Sequence, residues 1–285
     1  MTVREALLQG QQLLEDAGIS VPRLTAEVLL LHAVSHDQAA RGDAVPDRAW
    51  LYAHSSDELR EVWWIHYGRY LHQRIGGQPT QYITGRQEFY GRDFRVTPDV
   101  LIPRPETEHL VEAALARITD GARVLDIGAG SGAIAVTLAL ESKAQVFSSD
   151  ISIAALGVAQ ANARRLKSGV RFVACDLGSA FGSGTFDLVA SNPPYVPERD
   201  RATTQREVRD FEPASALFAG DDGLDIYRRL VPEAARLLRP GGWLMMELGD
   251  TSSEPVREML TGWHDVTIIT DLAGIPRVVR AQAAE

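Results

Sequence analysis

The chain contains a single cysteine, Cys175. A lone cysteine excludes an intramolecular disulfide framework and any metal site built from cysteine alone. Lysine is almost as scarce: Lys143 and Lys167 stand alone among 29 basic residues, which reads as compositional bias rather than function. Positive charge is in deficit, because 29 Lys and Arg face 38 Asp and Glu for a net charge of −9. That balance argues against bulk attraction to nucleic acid or an anionic membrane, since both reward a basic surface. No apolar run reaches the ~18 residues of a membrane span, and the opening Met1-Thr-Val-Arg-Glu-Ala is unlike a signal peptide. A cytoplasmic protein without a membrane partner is expected. The 285 residues suffice for a domain of roughly 200 residues with a smaller companion.

The spacing of apolar residues divides the chain into an N-terminal helical domain (1–77), a hairpin-like connector (78–108) and an α/β domain (109–285). Thr2 can cap a helix carrying Val3, Leu7 and Leu14, and Pro22 opens a second with Leu24, Val28, Leu31 and Val34. Ser55 and Glu58 suggest a capping box for a third, which carries Leu59, Trp63, Tyr67 and Leu71 and ends at Gly76-Gly77. His32 and His36 lie one helical turn apart; with no cysteine or carboxylate at ligand spacing they read as a helix face, and no metal is expected. Gln81-Tyr-Ile-Thr-Gly and Phe89-Tyr-Gly-Arg-Asp-Phe read as short strands around turns. From residue 121, apolar strands near 123–127, 145–149, 170–175 and 186–191 alternate with helices at 132–141 and 152–166. A helix near 223–239 and strands near 243–248, 264–270 and 275–280 follow. The pattern predicts a mostly parallel sheet covered by helices on both faces, with an antiparallel closing pair and Cys175 in the core.

Two loops carry the chemistry. Val124-Leu-Asp-Ile-Gly-Ala-Gly-Ser-Gly-Ala133 runs from a strand through a glycine turn into a helix. Gly128, Gly130 and Ala133 satisfy a dinucleotide fingerprint, with Asp150 about 20 residues on, so NAD is one candidate. Charge separates it from S-adenosylmethionine. A pyrophosphate would be repelled by Asp126, whereas a sulfonium and an ammonium favour a carboxylate beside Gly128, Ala129, Gly130, Ser131 and Gly132. Asp150 suits ribose hydroxyls, and Asp176 at the next strand end suits an adenine amino group. Each carboxylate alone could be a helix cap or a solvated loop residue.

The second loop, Asn192-Pro193-Pro194-Tyr195, ends the strand expected beside the first, at the sheet's switch point. The Asn192 side-chain carbonyl and the Pro193 main-chain carbonyl form two converging acceptors. They can hold both N–H groups of a planar nitrogen and stabilise positive charge developing there, while Tyr195 offers a flat wall. No His or Glu base stands in this loop.

On these residues the chain resembles the HemK/PrmC protein-(glutamine-N5) methyltransferases. The likeness also rests on Gln81-Tyr-Ile-Thr-Gly, Phe89-Tyr-Gly, Val100-Leu-Ile-Pro-Arg-Pro-Glu-Thr-Glu108, Glu212-Pro, Asp222-Gly-Leu-Asp-Ile-Tyr-Arg and Glu247-Leu-Gly. The resemblance implies a class I (Rossmann-like), seven-stranded S-adenosyl-L-methionine-dependent methyltransferase domain behind a helical recognition bundle. It implies methyl transfer to the glutamine of the Gly-Gly-Gln motif of peptide chain release factors, with S-adenosyl-L-homocysteine as product. Asp150, Asp176, Leu177 and the 128–132 loop would hold the cofactor. Asn192 to Tyr195 would hold the glutamine, with Arg104 and Glu106 lining the cleft; a surface ion pair between those two is the competing reading. Relatives often place Trp at the position of Leu177 and an acidic residue at that of Pro276. The alternatives are DNA adenine-N6 methylation, NAD-dependent oxidoreduction, and a non-catalytic binding module. No direct nucleic-acid contact is expected, and the protein is expected to be a monomer.

Overall fold

A computed structural model describes residues 1–41 and 45–284, with the side chains of 36 and 38–41 outside that description; the reading of His36 therefore lies outside the described residues. The chain forms two compact units. One comprises Met1–Gly85 with Arg206–Phe211, the other Arg86–Gln205 with Glu212–Glu285. The stretch 78–108, read as a connector, divides between them at Gly85.

The first unit contains α1 (Val3–Asp16), α2 (Pro22–Arg41), α3 (Arg48–Ala53), α4 (Glu61–Ile75) and α5 (Thr80–Thr84). The α1 start is a full capping box, with Thr2 and Glu5 each accepting from the other's backbone N–H. Pro22 opens α2 and α4 ends at Gly76, as expected; other starts and stops differ. The second helix runs on beyond Val34 to Arg41. The Ser55/Glu58 cap is not made, because α4 begins after Arg60 with no side-chain cap, and Asp47 caps the separate helix α3 instead. Gln81–Thr84 is helical rather than extended, closed by a left-handed Gly85. Leu29, Leu30, Leu51, Trp63 and Tyr67 fill the core, each contributing about 1.5–3 kcal/mol by leaving water. Trp63 meets Trp50 edge-on at 5.9 Å. Gly10 is required on α1, since a Cβ there would lie 1.9 Å from the Tyr67 hydroxyl. The later helix Arg206–Phe211 completes this unit: Glu207 pairs with Arg74 at 2.6 Å, and Arg206 donates to the Gly76 carbonyl at 3.1 Å.

The second unit begins with a two-stranded hairpin, β1 (Arg86–Phe89) and β2 (Arg92–Arg95), turning through Tyr90 and Gly91 at positive φ. Then come α6 (Glu108–Leu115), β3 (Arg123–Ile127), α7 (Ala133–Glu141), β4 (Gln145–Asp150), α8 (Ile153–Leu166), β5 (Arg171–Ala174) and β6 (Phe186–Ser191). The chain continues through α9 (the Arg206–Phe211 helix described above), α10 (Asp225–Leu237), β7 (Leu238–Glu247), α11 (Ser253–Met259), β8 (His264–Thr270) and β9 (Pro276–Gln282). The sheet order is β5-β4-β3-β6-β7-β9-β8, parallel except for β9. One buried layer joins the sheet to α10 and α11 through Phe186, Tyr227, Leu230 and Leu244. The other joins it to α6, α7 and the hairpin through Leu110, Ile134, Phe89 and Phe94. Cys175 is half-buried rather than in either layer, with its thiol bonded to the Leu177 carbonyl at 3.3 Å; β5 is an edge strand and leaves that position open.

Asn162 on α8 ties hairpin to sheet. It is fully buried, accepts from Arg95 N at 2.8 Å, and donates to the carbonyls of Arg95 and Ser131 at 2.9 and 2.8 Å. Asn162→Ala leaves three backbone groups without their partner, the Ser131 carbonyl buried and the Arg95 N–H and carbonyl partly so, and is expected to cost about 2–4 kcal/mol, read as a lower urea midpoint with unchanged slope. An unaltered midpoint would show that this bracing contributes nothing.

Candidate active site

Strand register assembles the site. Ile127 on β3 is flanked by Ser149 on β4 and Ser191 on β6. The next residues along, Gly128 and Asn192 just beyond β3 and β6 and Asp150 at the end of β4, therefore stand together at the sheet's C-terminal edge. In open α/β sheets that edge, where connections diverge, is where ligands bind. The Ser191 hydroxyl donates to the Ile127 carbonyl at 2.7 Å, and a Cβ on Gly128 would lie 3.9 Å from the Asn192 carbonyl.

The glycine loop is held from within. Gly128 and Ala129 N–H both donate to the Ser149 carbonyl, at 2.8 and 2.9 Å, and Gly132 N–H donates to Ala129 at 2.7 Å. Asp150 accepts from Gly130 N at 3.0 Å and Ser152 N at 2.8 Å. Gly132 is left-handed, and a Cβ there would lie 3.2 Å from that of Ala159. It is the close-approach residue of loop on α8, not part of the cavity wall.

A cavity of about 410 Å³ opens at this edge, within the range of small-ligand sites. Gly128, Ala129, Gly130, Ser131 and Asp150 line one side; Asn192, Pro193, Pro194 and Arg104 line another. Asp176 and Leu177 also reach it. Asp176 pairs with Arg229 at 2.5 Å, both half exposed. Leu177 is left-handed at φ 48°, and its carbonyl accepts the Ser149 hydroxyl at 2.7 Å. An apolar wall with carboxylates at Asp150 and Asp176 can hold a nucleoside that carries a cationic tail. Among the described residues, no cluster of three His, Cys, Asp or Glu could hold a metal ion.

Four residues singled out from sequence do not line the cavity. Asp126 is fully buried within β3 and accepts the Ser148 hydroxyl at 2.8 Å, its other oxygen unpartnered among the described residues. Burial pushes this carboxyl up to about 7; the Ser148 bond opposes the shift and the Asp150 charge adds to it. Gly132 packs on α8 as described. Tyr195 lies against Gly249 after β7, where a Cβ would come within 2.7 Å of its ring; burial raises its phenol above the ordinary range. Glu106 is half-buried and is not the partner of Arg104. That partner is Glu212, nearly fully buried at 2.5 Å, whose other oxygen accepts from Ile102 N at 3.2 Å.

Asn192 donates through Nδ2 to the Thr107 hydroxyl at 3.2 Å. Among the described residues the Pro193 carbonyl accepts no hydrogen bond. At the end of β7 stands Glu247, a buried carboxyl that burial pushes up to about 7. Thr107, Glu212 and Glu247 were not singled out from sequence for a role. All three stand inside motifs that carried the resemblance, and the partners of Thr107 and Glu212 lie on distant segments.

The raised Asp126 fixes a pH dependence. Its folded-state pKa exceeds that of the unfolded chain, so its contribution to stability is complete only below about pH 4 and is lost as pH rises toward 7. Asp126→Asn is expected to gain stability relative to the parent across that window, measured as a difference in urea midpoints. A difference independent of pH would refute the assignment.

Comparison with known proteins agrees with this architecture. A family model described as PrmC N-terminal domain matches residues 5–85, and one described as Methyltransferase small domain matches residues 106–212. Among solved structures, a methyltransferase from Pyrococcus furiosus superposes with TM-score 0.52 at 21% identity, covering 69% of this chain and 91% of that one; at that identity it speaks for the fold alone. Proteins named release factor glutamine methyltransferase are much closer in sequence. The one from Koribacter versatilis is 46% identical over 98% of both chains. That from Geobacter sulfurreducens is 43% identical over 98% of this chain and 95% of its own. The seven-stranded sheet is thus a class I methyltransferase domain behind a helical unit, and the chain belongs to the release factor glutamine methyltransferase family.

Proposed function

We infer that this enzyme transfers a methyl group from S-adenosyl-L-methionine to the side-chain amide nitrogen of the Gly-Gly-Gln glutamine in peptide chain release factors. The observation that carries the reading is the Asn192 amide. Its nitrogen is committed to Thr107, so Oδ1 is left as an acceptor beside the open Pro193 carbonyl. Two acceptors at one edge match the two N–H groups of a primary amide. Such a nitrogen is a poor nucleophile because its lone pair is delocalised into the carbonyl. Bonds to Asn192 and Pro193 draw it toward pyramidal geometry and stabilise the positive charge that grows on it. Once methylated, that nitrogen is acidic and loses its proton without a strong base. Tyr195, Arg104 and Glu106 would border the glutamine.

The cofactor supplies an electrophilic methyl on a sulfonium. Asp150 would receive the ribose hydroxyls on oxygens that already hold the glycine loop. Asp176 with Leu177 would border the adenine, where Asp176 shares its charge with Arg229. Asp126 would act from beneath the loop, its unpartnered oxygen favouring a cationic tail. The satisfied loop amides weigh against a dinucleotide: Gly128, Ala129, Gly130 and Gly132 already have acceptors, and a pyrophosphate needs them free. The net charge of −9 weighs against DNA as substrate. The helical unit would recognise the release factor through shape and aromatic contacts, since residues 1–75 hold seven Arg against ten Asp and Glu. The reading places a monomeric enzyme in the cytoplasm, with no direct nucleic-acid contact.

The test is to incubate the enzyme and methyl-labelled S-adenosylmethionine separately with unmethylated release factor and with DNA, then locate the label. Label is expected on the Gly-Gly-Gln glutamine, and label on DNA instead would sink the reading. Asn192→Ala is expected to lower turnover by about 10²–10³-fold, with cofactor affinity by calorimetry unchanged. Near-parental turnover would refute the two-acceptor mechanism.

A further inference from the structure

We propose that Arg104, aimed by the buried Glu212, is the counter-ion of the cofactor's α-carboxylate. The proposal rests on the S-adenosylmethionine reading above and deepens it. That reading sets carboxylates against the sulfonium and the ammonium, but the same tail also carries an anion, and the cavity offers little to receive it. Of the glycine-loop amides, those of Gly128 and Ala129 are spent on the Ser149 carbonyl, that of Gly132 on the Ala129 carbonyl, and that of Gly130 on Asp150. Asp150 and Asp176 line the cavity and repel a third carboxylate. Among the described residues that line it, only Arg104 and Arg229 carry positive charge.

Their partners separate the two arginines. Arg229 pairs with Asp176 at 2.5 Å, each half exposed, so its charge is matched within the cavity wall itself, at the end given to adenine. Arg104 is matched from behind. Its Nη2 donates to Glu212 Oε1 at 2.5 Å, and the Glu212 side chain is 1% exposed and does not line the cavity. The other Glu212 oxygen accepts from Ile102 N at 3.2 Å. One buried group therefore fixes the guanidinium and also the backbone two residues before it. Arg104 stands between Pro103 and Pro105 at φ −101° and ψ 145°, the extended region that a following proline favours. A guanidinium has five N–H donors, and among the described residues Nε and Nη1 make no hydrogen bond. The side chain stays 31% exposed on a wall it shares with Asn192 and Pro193.

Bordering the glutamine does not make Arg104 its ligand. A donor to the amide oxygen of the glutamine would deepen the delocalisation that the reaction has to undo, against the pull of the acceptors at Asn192 and Pro193. A carboxylate takes the same fork through charge-assisted bonds, about twice as strong as neutral ones, and leaves the nucleophile untouched. The tail then meets opposite charge on both arms, carboxylates for its ammonium and a guanidinium for its carboxylate. Turned the other way about its α-carbon, each arm would face like charge.

The test measures, by calorimetry on the full-length parent and its variants, the affinity for S-adenosylhomocysteine and for methylthioadenosine, which lacks the amino-acid tail. The parent is expected to bind S-adenosylhomocysteine the more tightly. Arg104→Ala is expected to weaken S-adenosylhomocysteine about 10–100-fold and to leave methylthioadenosine within about twofold of the parent. Arg104→Lys keeps the charge without the fork and is expected to lose about 3–10-fold. Glu212→Gln replaces one acceptor oxygen by a donor and is expected to lose about 3–30-fold, again for S-adenosylhomocysteine alone. Arg229→Ala is expected to keep the parental ratio of the two affinities. Parental S-adenosylhomocysteine affinity in Arg104→Ala, an equal loss of both ligands there, or a loss confined to S-adenosylhomocysteine in Arg229→Ala, would overturn the proposal and leave the cofactor reading intact. Parental S-adenosylhomocysteine affinity in Glu212→Gln would overturn the aiming role. If Arg104→Ala does not fold, Arg104→Gln, which keeps a neutral donor for Glu212, decides by the same ratio. A parent that binds neither ligand overturns the cofactor reading, and the proposal with it.

Discussion

The parallel pairing of β3 with β6 is the constraint on which the site depends. These strands are separated by three crossover connections and nearly sixty residues of chain, yet their register sets Ile127 opposite Ser191. Everything chemical follows one step later, where Gly128 and Asn192 leave the sheet side by side. A slip of one residue would swap the two buried faces of the shifted strand, and the distinct core on each side opposes it: Leu125 and Val189 face α10 while Val124 and Leu188 face α6 and α7. Apolar alternation deep in the sheet therefore determines the placement of polar groups at its edge. The β4 pairing extends this control, since the Ser149 carbonyl holds two amides of the glycine loop.

What was legible in the sequence is local or periodic. The strands, their parallel order and the two loops announce themselves in contiguous residues, because a glycine turn after an apolar strand and a double proline are short-range signals. The antiparallel closing pair was legible for the same reason. Helix starts in the first unit were less so. Ser55 and Glu58 have the letters of a capping box, but Leu59 and Arg60 remain outside α4, and the cap that forms belongs to Asp47 and α3. Gln81–Thr84 is β-branched and aromatic in part, yet it packs as a helical turn with Tyr82 and Ile83 buried, so tertiary burial overrides a weak local preference.

The candidate site divides along the same line. Asn192 could be named from its motif, but its partner Thr107 lies 85 positions away, and Glu212 reaches back 108 positions to Arg104. Such pairs leave no trace in spacing. The sequence also places Asp126 beside the loop without revealing that it points into the sheet, where it meets Ser148 rather than solvent. Its influence on a ligand would be through charge at short range, not through contact. Buried carboxylates at 126 and 247 share one physical state, each with an unpartnered oxygen and each raised by burial.

The open Pro193 carbonyl has one more consequence. Of the two acceptors proposed for the reaction, one is part of the main chain and is encoded by no side chain. Replacing Pro193 could redirect that oxygen but could never delete it. The vulnerability of the acceptor pair to genetic change is thus concentrated in a single codon, that of Asn192, while the other half is guaranteed by the polypeptide itself. A site built this way halves the number of positions at which inheritance can fail, and it leaves the surrounding loop freer to diverge.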